Sequence, residues 1–162
     1  MKRLLAAAAL LALSAAPALA QDASQIARVQ GGTSCSGCNL FQADLAYRDL
    51  PNVNLSGSRL RQADLSLATM NGANLSACDL SVANLFGARF TGVSFRNANL
   101  RDANLVGGYF GGADFSGADL TGAILSGAEM RRAHGLTQSQ LNTACGDAST
   151  ELPAGLRVPS CR

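Results

Sequence analysis

From Leu40 to Met130 every fifth residue is Leu, Phe or Met, nineteen positions in succession without a miss. The stretch ADLSLATMNGANLSACDLSVANL, residues 63–85, shows the pattern at its cleanest. A continuous α-helix cannot use it, because five residues rotate about 500° and successive bulky residues drift by about 140°. A continuous strand cannot use it either, because an odd step sends alternate side chains to opposite faces. Two residues before each bulky centre lies a second set, of which twelve are Ala and only Arg48 is neither small nor Val. The residue between them is Asp or Asn in twelve repeats. The period therefore reads as a very short strand with the small residue and the centre inward and the polar residue outward. Two residues rich in Ser, Gly, Asn and Thr then turn a corner. A repeat of this length and regularity decides the architecture.

The number of corners per coil follows from the largest side chains. Phe90 and Phe110 are twenty residues apart, as are Phe95 and Phe115, and Met70 and Met130 flank the first pair in the same line. Four repeats per coil turn each pair into a stacked column.

Runs such as QADLS, NGANLSACDLSVANL and GADFSGADLTGAILSGAEM resemble the pentapeptide-repeat family, whose consensus is A-(D/N)-L-x-x. The resemblance implies an all-β solenoid, a right-handed quadrilateral β-helix of about five coils over residues 38–133. At the ~4.8 Å spacing of neighbouring strands the stack stands about 24 Å tall. Arg48 and the following Pro51 depart from the pattern, and a guanidinium does not sit unpaired in a core. The expectation is a distorted corner with Arg48 escaping towards the N-terminal end.

The segments on either side have other grammar. Lys2 and Arg3, the apolar run 4–16 and the Ala18-Leu19-Ala20 site read as a signal peptide over residues 1–20. Cleavage after Ala20 and a periplasmic or secreted location are the expectation, and no later run is long enough to span a bilayer. Residues 21–37 form an N-terminal arm or cap, either helical or strand-like. Residues 134–162 form a C-terminal cap, a short helix and an extended tail, in which Thr137 to Gln140 fits a capping box and Leu136 and Leu141 are available to cover the core. Thirteen Lys plus Arg less Lys2 and Arg3 leave eleven Arg and no Lys beyond residue 20, against eleven Asp plus Glu. That balance gives no electrostatic footprint for nucleic acid or an anionic membrane.

Five cysteines in an exported chain point to disulfides with one thiol left over. Cys145 and Cys161 lie in the C-terminal cap and are placed to staple it. Cys35 and Cys38 form a CxxC at the first coil, read as a structural disulfide or capping pair. Spacing does not set the connectivity. Cys78 occupies a small inward slot and reads as a buried apolar thiol. Haem attachment needs His where Asn39 stands, zinc needs four ligands where the chain has the single His134, and a thioredoxin-like site needs a βαβ setting. No metal, cofactor or catalytic constellation is expected, and the many Asp residues read as a solvated face. The Asn54 and Asn74 glycosylation triplets are repeat-register residues and carry no weight.

One surface reading follows from the twenty-residue register. Tyr47, Leu67, Phe86, Val106 and Ile124 fall around one side as a candidate partner-binding face for a protein or envelope component. The chain reads as a noncatalytic exported binding or scaffold module, monomeric or an end-to-end dimer. The well-understood members of the family it resembles are cytosolic DNA-mimicking dimers that act on DNA gyrase, which fits neither an export signal nor a balanced charge. A carbohydrate-cleaving β-helix enzyme needs long cleft-building loops, and the loops here are two residues.

Overall fold

The structure, a computed structural model, describes residues 21–162, so the leader expected over residues 1–20 lies outside the described residues. From residue 39 onward the chain pairs in parallel with itself twenty residues later, which fixes four sides per coil. The first side carries Asn39, Arg59, Asp79, Asn99 and Asp119, and the second Asp44, Asp64, Asn84, Asn104, Ile124 and Cys145. The third carries Asp49, Thr69, Arg89, Tyr109, Glu129 and Glu151, and the fourth Asn54, Asn74, Ser94, Asp114 and His134. Each pairing is a single bridge residue, so a side is shorter than an ordinary strand. The bridges run to His134, one residue beyond the expected end of the repeats, and Cys145 and Glu151 carry two ladders into the cap.

From Arg59 onward each bridge residue bonds to the coil before it in both directions. Asp64 donates its N–H to the Ala43 carbonyl at 2.9 Å and accepts from the Leu45 N–H at 2.8 Å. Corners are tied as well: the Leu67 N–H reaches the Phe86 carbonyl at 2.8 Å, and within one turn the Ala43 N–H reaches the Leu40 carbonyl at 3.0 Å. The second corner residue takes positive φ, as in Gln42 (53°), Gly57 (67°) and Gly72 (70°), the conformation a type II turn needs at that place.

The interior is solid. The centres from Leu40 to Met130 are essentially inaccessible, and so are the small residues two before them. Phe95 stacks on Phe115 at 5.0 Å between ring centroids, and Phe90 meets Phe110 edge-on at 6.0 Å, the two columns expected from a twenty-residue coil. Gly108 fills an inward slot because a Cβ there would come within 2.6 Å of the Phe110 ring. The corner at Arg48 is not distorted, contrary to expectation. Arg48 is exposed while Leu50 stays buried, and the Arg48 carbonyl still accepts from Thr69 at 2.8 Å. A side chain in the first coil reaches solvent past an open rim, so the backbone need not move.

Helix α1, Ala23–Gln30, settles the N-terminal arm as helical, capped by the Asp22 carboxylate accepting from Ser24 and Gln25 N–H groups. It buries Val29 and packs Ile26 against the core. Its glutamines replace a missing coil: Gln25 Oε1 accepts from the Asn39 N–H at 2.6 Å, and Gln30 Nε2 donates to the Asp44 carbonyl at 2.8 Å. Helix α2, Gln138–Leu141, mirrors this at the other end, with its capping box formed by Thr137 and Gln140 and Leu141 fully buried. Gln140 Nε2 donates to the carbonyls of Phe115 (2.9 Å) and Ala118 (2.8 Å), standing in for the bridge residue the first side would have had next. Gln138 bonds both ways with Arg157 of the tail.

Two outcomes test this account. Phe95→Ala opens a cavity inside a solid stack and is expected to cost about 3–5 kcal/mol in urea unfolding. Gln140→Leu leaves the Ala118 carbonyl short of its donor, while Phe115 keeps the Ala118 N–H at 3.0 Å, at a cost of about 1–3 kcal/mol; the loss should appear as faster amide exchange around residues 137–145 rather than throughout the coils.

Candidate functional site

Asp and Asn between the buried pairs do more than face water. In eleven repeats their side-chain oxygen accepts the backbone N–H two residues on, closing an Asx turn over the corner. The reading of these residues as a merely solvated face is therefore incomplete. Asn54 and Asn74 belong to this set, bonding Ser56 and Ser76. On the second side the slots also bond vertically, Asn104 Nδ2 to Asn84 Oδ1 and Asn84 Nδ2 to Asp64 Oδ1, each at 3.1 Å. The signal for this role was present in the recurring D/N-x-S pattern.

Ser116 and Thr121, by hydroxyl and backbone hydrogen bonds, hold the Asp114 and Asp119 carboxyls below their ordinary range. The exposed partners Arg96 (3.0 Å) and Arg101 (3.2 Å) add to the effect. Among the described residues no cavity or cleft opens, no group of His, Cys, Asp and Glu is placed to hold a metal ion, and no helix is long and apolar enough to cross a membrane. His134 is exposed on the fourth side.

The cysteines form two disulfides, Cys35–Cys38 and Cys145–Cys161. Cys35 and Cys38 are both buried, and Ser58 beneath them donates its hydroxyl to the Cys35 carbonyl at 2.9 Å and accepts from the Cys38 N–H at 3.0 Å. Cys145–Cys161 joins the last rung of the second side to the end of the tail. Cys78 is free and buried, and burial pushes its thiol up to about 12; at neutral pH it is not a nucleophile.

The five residues read as one apolar face are arranged differently from a stripe. Tyr47, Leu67, Phe86 and Val106 climb the corner between the second and third sides, the first two in its second slot and the last two in its first. Ile124 stands apart, on the second side itself, above the Asp64–Asn84–Asn104 ladder. Tyr47 is 76% exposed and Leu67, Phe86 and Ile124 about 40–46%, whereas Val106 is half-buried. Val82, 47% exposed at the corner between the first and second sides, was missed because its neighbours in that column are polar or glycine. Phe41, also at that corner, lies 4.7 Å under the Arg59 guanidinium. Tyr47, Leu67 and Val82 all hold φ of 57–59°, a region that bulky and β-branched residues seldom occupy. Leu67 leans over Gly87, where a Cβ would approach its Cδ2 to 2.7 Å.

The sequence matches the Pentapeptide repeats family in eight copies, over residues 38–76, 64–102, 78–117 and 98–134. The chain belongs to the pentapeptide repeat proteins. Members of this family form right-handed quadrilateral β-helices and are generally non-enzymatic. Among solved structures, this pentapeptide repeat protein is similar to HetL of the cyanobacterium Nostoc sp. strain PCC 7120, which is involved in the regulation of heterocyst differentiation. The two share 38% identity with a TM-score of 0.61, over 64% of this chain and 50% of HetL. The chain thus spans half the length of that relative. It is also similar to alr5209 of Nostoc PCC 7120 (28% identity, 86% of this chain and 91% of that one, TM-score 0.45). Full-length QnrB1, a plasmid-mediated fluoroquinolone resistance protein, matches at 16% identity over 80% of this chain and 91% of its own, TM-score 0.45. No curated protein matches the sequence.

The depressed carboxyls set an acid limit. A carboxylate lowered in the folded state from the usual 3.8 contributes stability that is fully present above that value and is lost as pH falls below it. The urea midpoint is expected to hold above about pH 4 and to fall as the pH drops below it, and to fall less in Asp114→Asn/Asp119→Asn.

Proposed function

We propose that this pentapeptide repeat protein is a noncatalytic binding or scaffold module of about five coils, exported with cleavage after Ala20 to the periplasm or beyond. Its working surface is the corner edge of Tyr47, Leu67, Phe86 and Val106, with Val82 and Ile124 flanking it across the second side. The partner is a protein or envelope component. No cofactor enters this reading, and the balanced charge beyond residue 20 argues against mimicry of nucleic acid.

The observation that carries the reading is the backbone at three of these residues. Left-handed corner slots hold glycine at nine places in the coils, Gly57 to Gly127, at no steric cost. Tyr47, Leu67 and Val82 fill equivalent slots with large side chains that are also exposed. Each costs about 1–2 kcal/mol relative to a right-handed conformation, and none gains full burial in return. Strain retained at an exposed apolar side chain points to a use for that side chain outside the fold.

Leu67→Gly and Phe86→Arg separate folding from binding. Leu67→Gly is expected to leave thermal stability unchanged or raised, and Phe86→Arg to leave the circular dichroism spectrum intact. Both should weaken capture of the partner by a photo-crosslinker placed at residue 106 in fractionated cells. Capture by both variants at the wild-type level removes the edge from the proposal.

A further inference from the structure

We propose that the exported form of this chain is modified at its N-terminus, with Gln21 cyclised to pyroglutamate, and that the exported form carries no primary amine. The inference rests on the reading of cleavage after Ala20, which makes Gln21 the first residue. An N-terminal glutamine has its α-nitrogen placed to close a five-membered ring on its own Cδ. The uncharged amine adds to Cδ, the Cδ–Nε2 bond breaks, and the proton lost by the α-nitrogen leaves with Nε2 as ammonia. Nothing is oxidised or reduced, and no cofactor is required. α-Amino groups titrate near neutrality, so an uncharged fraction is always present at envelope pH.

The position of Gln21 leaves the reaction open. It is exposed and stands before α1, with the capping role taken by Asp22. Its amide donates to the Gln42 carbonyl at 3.1 Å on the rim of the first coil, a contact in exposed surroundings that breaks easily. The fold therefore neither buries the amide nor needs the α-ammonium. Ring closure also removes a positive charge from the N-terminal end of α1, where the helix dipole disfavours a cation.

The second observation comes from composition. Beyond residue 20 the chain contains no Lys, so the α-amine of Gln21 is the sole primary amine left after cleavage. Cyclisation eliminates it, and the exported chain offers nothing to amine-acylating or carbonyl reagents. An aminopeptidase that needs a free α-amine finds none, which protects the segment leading into α1 and the Val29 plug over the first coil.

The test is the intact mass of the full chain expressed with its leader and purified from the periplasm, before and after treatment with an amine-reactive ester. The expected result is the mass of residues 21–162 less one ammonia, unchanged by the ester. Gln21→Ala, cleaved at the same bond, should retain its amine and take one label. A wild-type mass of residues 21–162 with its ammonia retained and one label added overturns the modification while leaving export standing. A mass that retains the leader, or begins at another residue, overturns the cleavage reading and the modification with it.

Discussion

Everything in this molecule depends on the hydrogen bonds between a residue and the chain twenty positions later. A coil of four one-residue bridges has no internal ladder of its own, so each coil is held only by its neighbours. That makes the two ends the hardest part of the structure, because there the bridge residues lack a coil to bond to. Unpaired backbone groups at a sheet edge also invite another chain. The solution is the same at both ends although the sequences are unrelated. A short helix lies over the core and presents glutamine amides, with one donor and one acceptor end, where peptide groups would have been. Gln25 and Gln30 do this for Asn39 and Asp44, and Gln140 does it for Phe115 and Ala118. Val29 and Leu141 meanwhile cover the apolar interior.

Much of this was legible because the repeat is so strict. The centres, the small inward slots, the four-sided coil and the capping box at Thr137 all follow from residue type and spacing. Less legible were features set by what lies next to a residue in space. Arg48 occupies an inward slot by register, yet the coil below it is absent, so its side chain leaves the core with the backbone undisturbed. The N-terminal segment read as helix or strand because its apolar residues, Ile26 and Val29, are too few to show a period; the open core beneath them decides the matter. Val82 escaped notice because register alone does not say how far a corner side chain projects.

The same strictness separates inside from outside. With two inward residues fixed in each repeat and a third closing an Asx turn in eleven of the nineteen, variation concentrates in the two corner residues and the remaining outward slots. Half of the corner slots at positive φ use glycine, and most of the others use Gln, Asn, Asp or Ala, whose demands are modest. Tyr47, Leu67 and Val82 are the departures with no compensating burial. A function encoded here is written in the corners and in outward slots such as that of Ile124, since no cavity opens among the described residues.

Geometry also limits what such a surface does. A single corner one or two residues wide presents far less than the ~800 Å² per partner of a standard stable interface. Tyr47 and Leu67 occupy one slot of the corner and Phe86 and Val106 the other, so the apolar line shifts sideways halfway up. A partner matched to it meets two pairs of rungs, each pair spaced by one coil, on a rod that does not bend to improve the fit. Contact through this edge alone would be brief. Lasting attachment would require that the partner also cross the second side, where Ile124 tops the amide ladder and Val82 stands at its far corner, or engage several copies at once.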